Sequence, residues 1–392
     1  MRVLTVSSAF PNPGNPGLGI FIRARAVALA RGADVVIIAP VACFQGKGFS
    51  RALFSAPLRR QDGSFEVFHP RWLNVPGGGP MNSVLLAIAL LLRALRLRRR
   101  FPFDIIDAHF GYVDGVAAAL AMPLLCRPLV ITLRGSELVH GRYALRRRAM
   151  AWALRRASRV LAVSEELREY ALRLGVPSDR VHVVPNGVDS AVFYWQDRAV
   201  CRSRFGISPD RRVILSVGNL IESKGHHRIL RAAGGLVSRY PEITVLIVGG
   251  ENDSEPGYTQ RLRQCTETLG LSGRVHFLGQ LPADEVAQAM SAADVLCLAS
   301  RSEGCPNVVR EALACGTPVV ATRVGAVPEL ISSDEYGIVA PPFDDAALQE
   351  AIGSALSRDW NRRKIACWGQ SRSWDAVAED VLCQFNLAIC HR

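Results

Sequence analysis

The chain has 392 residues, of which 49% are hydrophobic and 21% are charged, and its formal net charge at pH 7 is +12. This length is too great for one ordinary hydrophobic core and fits two α/β domains. The longest apolar run, residues 84–92, is about half the length of a membrane span, so we expect no transmembrane helix. The first residues lack the pattern of a secretory signal peptide, which predicts a cytoplasmic protein.

The net positive charge of the chain comes entirely from its first half. Residues 1–190 hold 26 Lys and Arg against 12 Asp and Glu, net +14, and the remainder holds 21 against 23, net −2, which together give the total of +12. Arginines cluster at 93–100 and 142–159, both in helical patterns. Either these faces bind an anionic membrane surface or an anionic, lipid-linked acceptor, or they are solvated surfaces of an arginine-rich chain. Nucleic-acid binding is not expected, because the chain has no groove-reading motif and no pattern of stacking aromatics.

The ten cysteines form no C-x-x-C pair and have no histidines at zinc-site spacing. We therefore expect free thiols and no structural metal. An Asp-x-Asp motif is also missing, so a metal-clamped diphosphate is not expected.

The first half alternates apolar runs typical of buried strands with helical patterns. Strands are predicted at 3–7, 35–39, 105–108, 129–133, 159–163 and 181–184, and helices at 20–31 and 83–99. Nearly continuous hydrophobic strands that alternate with helices indicate a parallel, doubly wound sheet.

The second half repeats this pattern. Strands are predicted at 212–217, 243–248, 275–278, 295–298 and 318–321, with a helix at 225–239. The predicted fold is α/β, with an N-terminal Rossmann-like domain at 1–190, a hinge at 191–208, a C-terminal Rossmann-like domain at 209–365 and a closing helical segment at 366–392.

The most informative stretch is 300–321, SRSEGCPNVVREALACGTPVVA. Its turn is predicted to open a helix with Pro306 in the first turn, where the missing N–H of proline is no loss. The backbone N–H groups at a helix start suit a phosphate. Glu303 then precedes the helix and Glu311 lies about one and a half turns into it. One carboxylate can meet sugar hydroxyls beyond a diphosphate and the other can meet a ribose behind it, although acidic residues are also common at helix starts.

The segment 299–331 resembles the nucleotide-sugar signature of glycosyltransferase family 4, a retaining group with the GT-B fold. Further pieces match in order along nearly the whole chain: GIFI at 19–22, IDAHF at 106–110, PNGVD at 185–189, VGNL at 217–220, KG at 224–225 and FLG at 277–279. The resemblance implies two Rossmann-like domains that face each other across a cleft, with a closing helix that packs back on the N-terminal domain.

By this resemblance Glu303 contacts the sugar hydroxyls and Glu311 the ribose hydroxyls. The resemblance also implies that the diphosphate is bound by Lys224 and by the turn of Gly304 and Pro306, where the backbone N–H groups of Cys305, Asn307 and Val308 are the donors. The nucleobase is expected near Phe277 and Leu278.

Lys224 is conspicuous on its own account, since the chain has 44 arginines and only three lysines. An ammonium in a compact pocket acts as a point charge against a diphosphate. One position departs from the family, because Asn219 stands where an arginine is common. This loss of a charge leaves donor identity open and motivates the alternative of an inactive GT-B subunit that binds nucleotide or a partner enzyme.

On the acceptor side, Gly17 and Gly19 lie in a loop where the backbone is expected to pass close to the donor. His109 ends a strand, the place where open α/β sheets bind ligands, and the resemblance implies a catalytic role for it. Arg134 and Glu137 follow another strand end and are expected to orient the acceptor or the sugar.

The resemblance thus implies a glycosyltransferase that moves a hexose from a UDP- or GDP-sugar to a hydroxyl of a glycan or lipid-linked acceptor in cell-surface glycan synthesis, without a metal or other cofactor. Besides the inactive subunit, an epimerase or phosphorylase of the same fold is an alternative, although no lysine stands in a context suited to pyridoxal phosphate. Sugar, base, acceptor and linkage are left open.

Overall fold

Runs of buried valine, leucine and isoleucine form the central strands of two separate sheets. The computed structural model describes residues 1–45, 48–252 and 255–390, which divide into two units. The first unit is Met1–Asn186 together with the chain from Trp374 onward, and the second is Gly187–Ser373. The segment 191–208, predicted as a hinge, lies inside the second unit.

The first unit is built on an eight-stranded sheet. The strands of the whole unit, including those in two short pairings outside this sheet, are β1 (Arg2–Val6), β2 (Asp34–Ile38), β3 (Val41–Ala42), β4 (Phe44–Gln45), β5 (Gly48–Phe49), β6 (Arg59–Asp62), β7 (Phe65–Phe68), β8 (Arg71–Trp72), β9 (Ile105–His109), β10 (Leu129–Leu133), β11 (Arg159–Ala162) and β12 (Val181–Val183). Its helices are α1 (Ile20–Leu29), α2 (Arg51–Ser55), α3 (Met81–Arg98), α4 (Val116–Leu125), α5 (Ser136–His140), α6 (Ala144–Arg156) and α7 (Glu165–Arg173).

The strand order of this sheet is β12-β11-β10-β9-β1-β2-β7-β6. All neighbours are parallel except the edge strand β6, which is antiparallel to β7. The order reverses direction between β9 and β1, and this is the switch point at which open α/β sheets bind ligands.

The second unit contains α8 (Arg198–Arg204), β13 (Arg212–Val217), α9 (His226–Leu236), β14 (Ile243–Val248), α10 (Tyr258–Thr268), β15 (Val275–Gly279), α11 (Ala283–Ala292), β16 (Val295–Leu298), α12 (Asn307–Ala314), β17 (Val319–Thr322), α13 (Val327–Leu330), β18 (Gly337–Ala340), α14 (Asp345–Ser357) and α15 (Arg362–Gln370). Its six strands are all parallel, in the order β15-β14-β13-β16-β17-β18, with the switch point between β13 and β16.

The core of the second unit lies on both faces of its sheet. Along β13, Val213 and Leu215 pack into one hydrophobic cluster, whereas Ile214 packs into the cluster on the opposite face. Because successive side chains of a strand point to opposite faces, a strand that is apolar at every position is covered by helices on both sides. The prediction of two doubly wound Rossmann-like units is therefore confirmed.

The last helix, α16 (Trp374–Cys390), belongs to the first unit. Val377, Val381 and Phe385 are buried in the same cluster as Val3 of β1 and Ile105 of β9. α16 packs along α1. The first unit is therefore completed by residues that follow the whole second unit in the sequence.

None of the helices within the described residues has both the length and the apolar character needed to span a bilayer.

Candidate nucleotide-sugar site

In the second unit the carboxyl ends of β13 and β16 lie side by side at the switch point. The loop after β13 contains Asn219 and leads into a single turn of 3₁₀ helix at Glu222–Lys224. The loop after β16 contains Ser300 and Glu303. The topology thus brings together two loops whose key residues are 79 positions apart in the chain.

Lys224 and Glu303 form an ion pair at the junction of these loops. Lys224 Nζ lies 2.6 Å from Glu303 Oε1, and Ser300 Oγ donates to the same oxygen at 2.7 Å. The two side chains are 27% and 11% exposed, so the pair is neither solvated like a surface pair nor closed off from solvent. Among the described residues no donor reaches Glu303 Oε2, which leaves that oxygen for a ligand.

Gly225 allows the loop that carries Lys224 to lie directly against the end of β16. Its φ is +74°, in the left-handed region, and a Cβ at this position would lie 2.2 Å from the carbonyl oxygen of Ala299. Only glycine satisfies both the dihedral angle and the close approach. Lys224 is therefore held next to the strand from which Glu303 follows.

The turn after Glu303 leads into α12. Pro306 is the N-cap, one position earlier than the first-turn place predicted for it, and the helix begins at Asn307. Gly325 backs the turn, since a Cβ there would lie 2.5 Å from the carbonyl oxygens of Glu303 and Gly304. Ala326 N donates to Gly304 O at 2.9 Å. The start of α12, including Cys305 and Val308, is thus fixed beside the Lys224–Glu303 pair and presents the positive end of a helix there.

Glu311 lies half-buried on α12, and among the described residues no group donates a hydrogen bond to its carboxylate. Burial raises the pKa of Glu311 to about 7. A carboxylate that lacks a protein partner but lies behind an anion site is suited to accept bonds from a diol.

Behind Asn219 lies His226, which the sequence analysis does not single out. Its Nδ1 lies 2.8 Å from Ser216 Oγ, and its Nε2 lies 3.2 Å from the carbonyl oxygen of Asn219. Burial lowers the pKa of His226 to about 4, so the ring is neutral and its Nε2–H donates to the backbone of Asn219. The Asn219 side chain itself is exposed. His226 could have been suspected from its position directly after Lys224-Gly225.

A cavity of about 180 Å³ lies at the carboxyl ends of β14 and β15, lined by residues that include Leu220, Gly249, Glu251, Arg263 and Phe277. The guanidinium of Arg263 lies 4.6 Å from the centre of the Phe277 ring. Leu278, predicted near the base together with Phe277, is half-buried and packs on the opposite face of the sheet from Phe277, so its contact with the base stays a prediction. The opposite placement follows from the alternation of side chains along a strand.

In the first unit, His109 lies in a buried network at the carboxyl end of β9. Its Nε2 lies 3.2 Å from Asp107 Oδ2, and Arg134 Nη2 lies 3.0 Å from its Nδ1. Arg25 pairs with Asp107 at 2.8 Å, and Arg134 Nη1 donates to Asn186 Oδ1 at 2.7 Å. Both nitrogens of His109 are therefore engaged.

Burial, followed by the neighbouring arginines, lowers the pKa of His109 to about 3 against the opposing effect of Asp107. The ring is therefore neutral, with Nε2 as donor to Asp107 and Nδ1 as acceptor from Arg134. Sequence reasoning missed Asp107 as a partner. Its alternation with His109 along β9 places both on one face and was the available signal.

Glu137, predicted to orient the acceptor or the sugar, is bonded to backbone groups of the protein. Its carboxylate accepts hydrogen bonds from the backbone N–H groups of Gly111 at 2.7 Å, Arg134 at 3.1 Å and Gly135 at 2.7 Å, and the residue is fully buried. Glu137 therefore ties the loop after β10 to the loop after β9. The predicted role of Glu137 in orienting the acceptor or the sugar stays a prediction.

The glycines of the first loop differ from one another. Gly19 has φ +64°, and a Cβ there would lie 2.0 Å from the carbonyl oxygen of Ala9, so the loop after β1 closes on itself at this glycine. Gly17 is exposed. Within the described residues, no group of three or more His, Cys, Asp or Glu is arranged to hold a metal ion.

Comparison with known proteins matches these two units to one family. Residues 17–192 match the family described as Glycosyltransferase Family 4, and residues 197–370 match the family described as Glycosyl transferases group 1. The putative teichuronic acid biosynthesis glycosyltransferase TuaC of Bacillus subtilis is 30% identical over 377 residues, 90% of this chain and 88% of that protein.

Solved structures agree in fold. Sucrose-phosphate synthase of Thermosynechococcus elongatus superposes with a TM-score of 0.82 at 20% identity, over 100% of both chains. HepE of Anabaena, solved in complex with UDP, superposes with a TM-score of 0.76 at 22% identity, over 98% of this chain and 100% of that one. The chain therefore belongs to glycosyltransferase family 4, has the GT-B fold and is an enzyme that transfers glycosyl groups.

Proposed function

We propose that this enzyme transfers a hexose from a UDP- or GDP-sugar to an acceptor hydroxyl, with retention of the anomeric configuration and without a metal ion. The observation that carries the donor assignment is the Lys224–Glu303 pair at the start of α12, with Glu311 behind it. The UDP bound to HepE is in keeping with a uridine nucleotide.

The charges at the site fit the demands of glycosyl transfer. Cleavage of the bond between sugar and diphosphate builds negative charge on the leaving group. Lys224 Nζ and the backbone N–H groups at the start of α12 supply fixed positive charge there, which stabilises that charge electrostatically. This supply of protein charge, and the absence of an Asp-x-Asp motif from the sequence, support transfer without a metal.

Glu303 has two tasks in this proposal. Its Oε1, bonded to Lys224 and Ser300, orients the ammonium, and its Oε2 accepts hydrogen bonds from sugar hydroxyls. Glu311, ionised, accepts bonds from the ribose hydroxyls. On the acceptor side, neutral His109 and Arg134 hold their mutual geometry through Asp107 and Asn186. Retention by attack on the same face of the sugar is taken from the family.

The biological setting proposed is the synthesis of a cell-surface glycan, on a glycan or lipid-linked acceptor. The similarity to TuaC, whose name refers to teichuronic acid biosynthesis, supports this setting. A cytoplasmic location is supported by Cys367, Cys383 and Cys390, which are exposed and outside any disulfide, because exposed thiols persist in reducing compartments.

The first test is a thermal-shift panel of UDP, GDP, ADP and their common sugar conjugates. A ligand present at about a hundred times its dissociation constant stabilises the fold by roughly 2.7 kcal/mol. We expect a clear upward shift with a uridine or guanosine nucleotide, and transfer from the matching sugar conjugate in an assay with magnesium chelated. A well-folded protein whose melting temperature responds to none of these ligands would contradict the proposal.

Variants then assign the roles. Lys224→Met should weaken nucleotide binding about tenfold to a hundredfold, since a charge-assisted hydrogen bond is worth roughly 1.5–3 kcal/mol. Glu303→Gln should leave nucleotide binding near the wild-type value but lower the rate of transfer by about a hundredfold or more.

The control is Lys364→Met in the same unit. Lys364 Nζ also lies 2.6 Å from a carboxylate, that of Glu335, but this pair is exposed and remote in the chain from the site loops. The control should bind and transfer as the wild type does. Equal loss in the Lys224 and Lys364 variants would show that the effect of Lys224→Met is general destabilisation.

A further inference from the structure

The outer face of α3 is apolar along most of its length. Every exposed side chain from Met81 to Leu95 is apolar: Met81 is 58% exposed, Val84 42%, Ile88 53%, Leu92 52% and Leu95 42%. Their spacing of three or four residues places them in one stripe about 21 Å long. A surface helix of a soluble protein ordinarily carries charged side chains on this face.

The inner face of α3 is buried in the first unit. Leu86, Leu90, Ala94 and Leu97 are buried. The outer stripe is therefore additional apolar surface. Leu73 and Val75 extend it, because they are 53% and 42% exposed and Val75 is bonded through its backbone N–H and C=O to Asn82 in the first turn of α3.

The stripe runs into a cluster of arginines at the end of α3. A cavity of about 980 Å³ lies there, lined by residues that include Arg2, Arg59, Arg93, Arg96, Arg99 and Arg100. Arg2 is paired with Asp104, and Arg59 with Glu66. Within the part of the chain that the structure describes, no acidic side chain pairs with the other four.

Arg93 shows how crowded this positive charge is. Its guanidinium lies 3.7 Å above the ring of Phe68, and its Nε is buried without a hydrogen-bond partner. Burial, followed by the charges of Arg59 and Arg96, lowers the pKa of Arg93 against the opposing charge of Glu66. Six arginines line the cavity against two carboxylates, those of Asp34 and Glu66, so an anion bound there would lower the repulsion among the arginines.

We propose that this α3 face, defined as the stripe of Met81, Val84, Ile88, Leu92 and Leu95 with the cavity of Arg93, Arg96, Arg99 and Arg100, docks the first unit on an anionic lipid bilayer. A helix that lies in the plane of the membrane interface inserts its apolar face below the headgroups and holds the side chains that flank this face at the depth of the lipid phosphates. By helical periodicity Arg93, Arg96 and Arg100 flank the stripe in this way. The stripe enters the boundary between headgroups and acyl chains, and a lipid phosphate occupies the arginine-lined cavity. The helix lies on the membrane because its other face is packed in the unit.

Flotation with vesicles tests this proposal. The full chain should bind vesicles of phosphatidylcholine and phosphatidylglycerol in equal parts and should not bind vesicles of phosphatidylcholine alone. The triple variant Arg96→Gln, Arg99→Gln, Arg100→Gln should bind the anionic vesicles on the order of a hundredfold more weakly. The double variant Ile88→Gln, Leu92→Gln should lose about tenfold or more, because it removes buried apolar area at the interface.

The control for charge is Arg142→Gln, Arg147→Gln, Arg148→Gln, which removes three exposed arginines at the start of α6 in the same unit. It should retain most of the binding. An equal loss in the control, or equal binding to neutral and anionic vesicles, would overturn the assignment to the α3 face.

Two further readouts distinguish lipid docking from damage to the donor site and from self-association of the chain. The nucleotide-induced thermal shift should be the same in all these variants, so that a failure here is distinct from a failure of the proposed donor site. Light scattering should show the same mass for the wild type and for the Ile88, Leu92 variant. A wild-type dimer that this variant dissociates would mean that the stripe is covered by a second copy of the chain, and it would refute the lipid proposal.

Discussion

At the level of single residues, ionisation of Glu311 should have two opposite effects: it lowers the stability of the unliganded protein, and it favours binding of the donor. Its pKa is raised by burial to about 7 from an ordinary value of 4.5. Between these two values the folded state binds more protons than the unfolded state, so this residue lowers stability as the pH rises through the window. Above pH 7 the ionised carboxylate carries its full desolvation cost in the absence of ligand.

Replacement of Glu311 by Gln should therefore make the unliganded protein more stable than the wild type at pH 8 and close to it at pH 4. Nucleotide binding should change in the other way. In the wild type the affinity should rise with pH through about 7, because only the ionised carboxylate accepts two hydroxyl bonds, whereas the variant should bind weakly and without this pH dependence.

Chemical denaturation and nucleotide titration at several pH values measure both effects. An affinity that is independent of pH in the wild type would show that Glu311 does not contact the ribose.

The sequence could reveal a site residue when the residue stood in a motif or was rare in the composition. It could not reveal a residue that is marked only by a partner far away in the chain. Lys224 and Glu303 stood out through composition and motif, and the structure brings them into contact. The buried pair of Arg25 and Asp107 had no such signal, because its members are 82 positions apart and only the packing of α1 against the sheet joins them. The three backbone donors to Glu137 had no signal either, since backbone donors leave no mark in a sequence.

At the level of elements, the loop between β13 and α9 depends on Gly225. Gly225→Ala should cost more than the roughly 1–2 kcal/mol of a left-handed alanine, since its Cβ would also collide with the Ala299 carbonyl at 2.2 Å. The same shift displaces Lys224 from Glu303, so nucleotide binding should weaken as well.

Gly206→Ala is the matched control. Gly206 also lies in the second unit with φ +65°, but nothing lies within 4 Å of a Cβ at that position. It should lose only the cost of the dihedral angle and bind nucleotide normally. Urea denaturation and nucleotide titration distinguish the two variants, and identical behaviour would show that the contact with β16 is dispensable.

Strands that are apolar at nearly every position were predictable, and strands with charged or exposed positions were not. The strands at 129–133, 212–217, 243–248 and 295–298 have the predicted bounds, because apolar runs between turns identify buried parallel strands. The strands β3 to β8 were absent from the prediction, since they have two to four residues each and several contain charged residues, as in RRQD of β6 and FEVF of β7, so they carry no recognisable hydrophobic period. Strand β18 was missed as well, for its glycine and half-buried residues obscure the pattern.

At the level of the whole molecule, the groups assigned to the nucleotide all belong to one unit. Lys224, Glu303, Glu311 and the start of α12 lie within Gly187–Ser373. Nucleoside diphosphate alone should therefore slow amide hydrogen exchange mainly in this unit, most strongly around residues 218–225 and 303–311. Exchange measured by mass spectrometry with and without UDP or GDP tests this. Protection of the loops at 8–19 and 109–137 to the same extent would contradict the assignment of the nucleotide to the second unit.

Because α16 belongs to the first unit, the core of that unit cannot be completed until α16 has been synthesised. Phe385 is fully buried, and the cluster that it completes contains Val3 from the first strand. On the ribosome, this cluster therefore stays open until α16 has been synthesised, while the second unit, contiguous in the chain, has all of its residues available earlier. While the second unit is being synthesised, the first unit therefore exposes the part of its core that α16 covers in the folded protein.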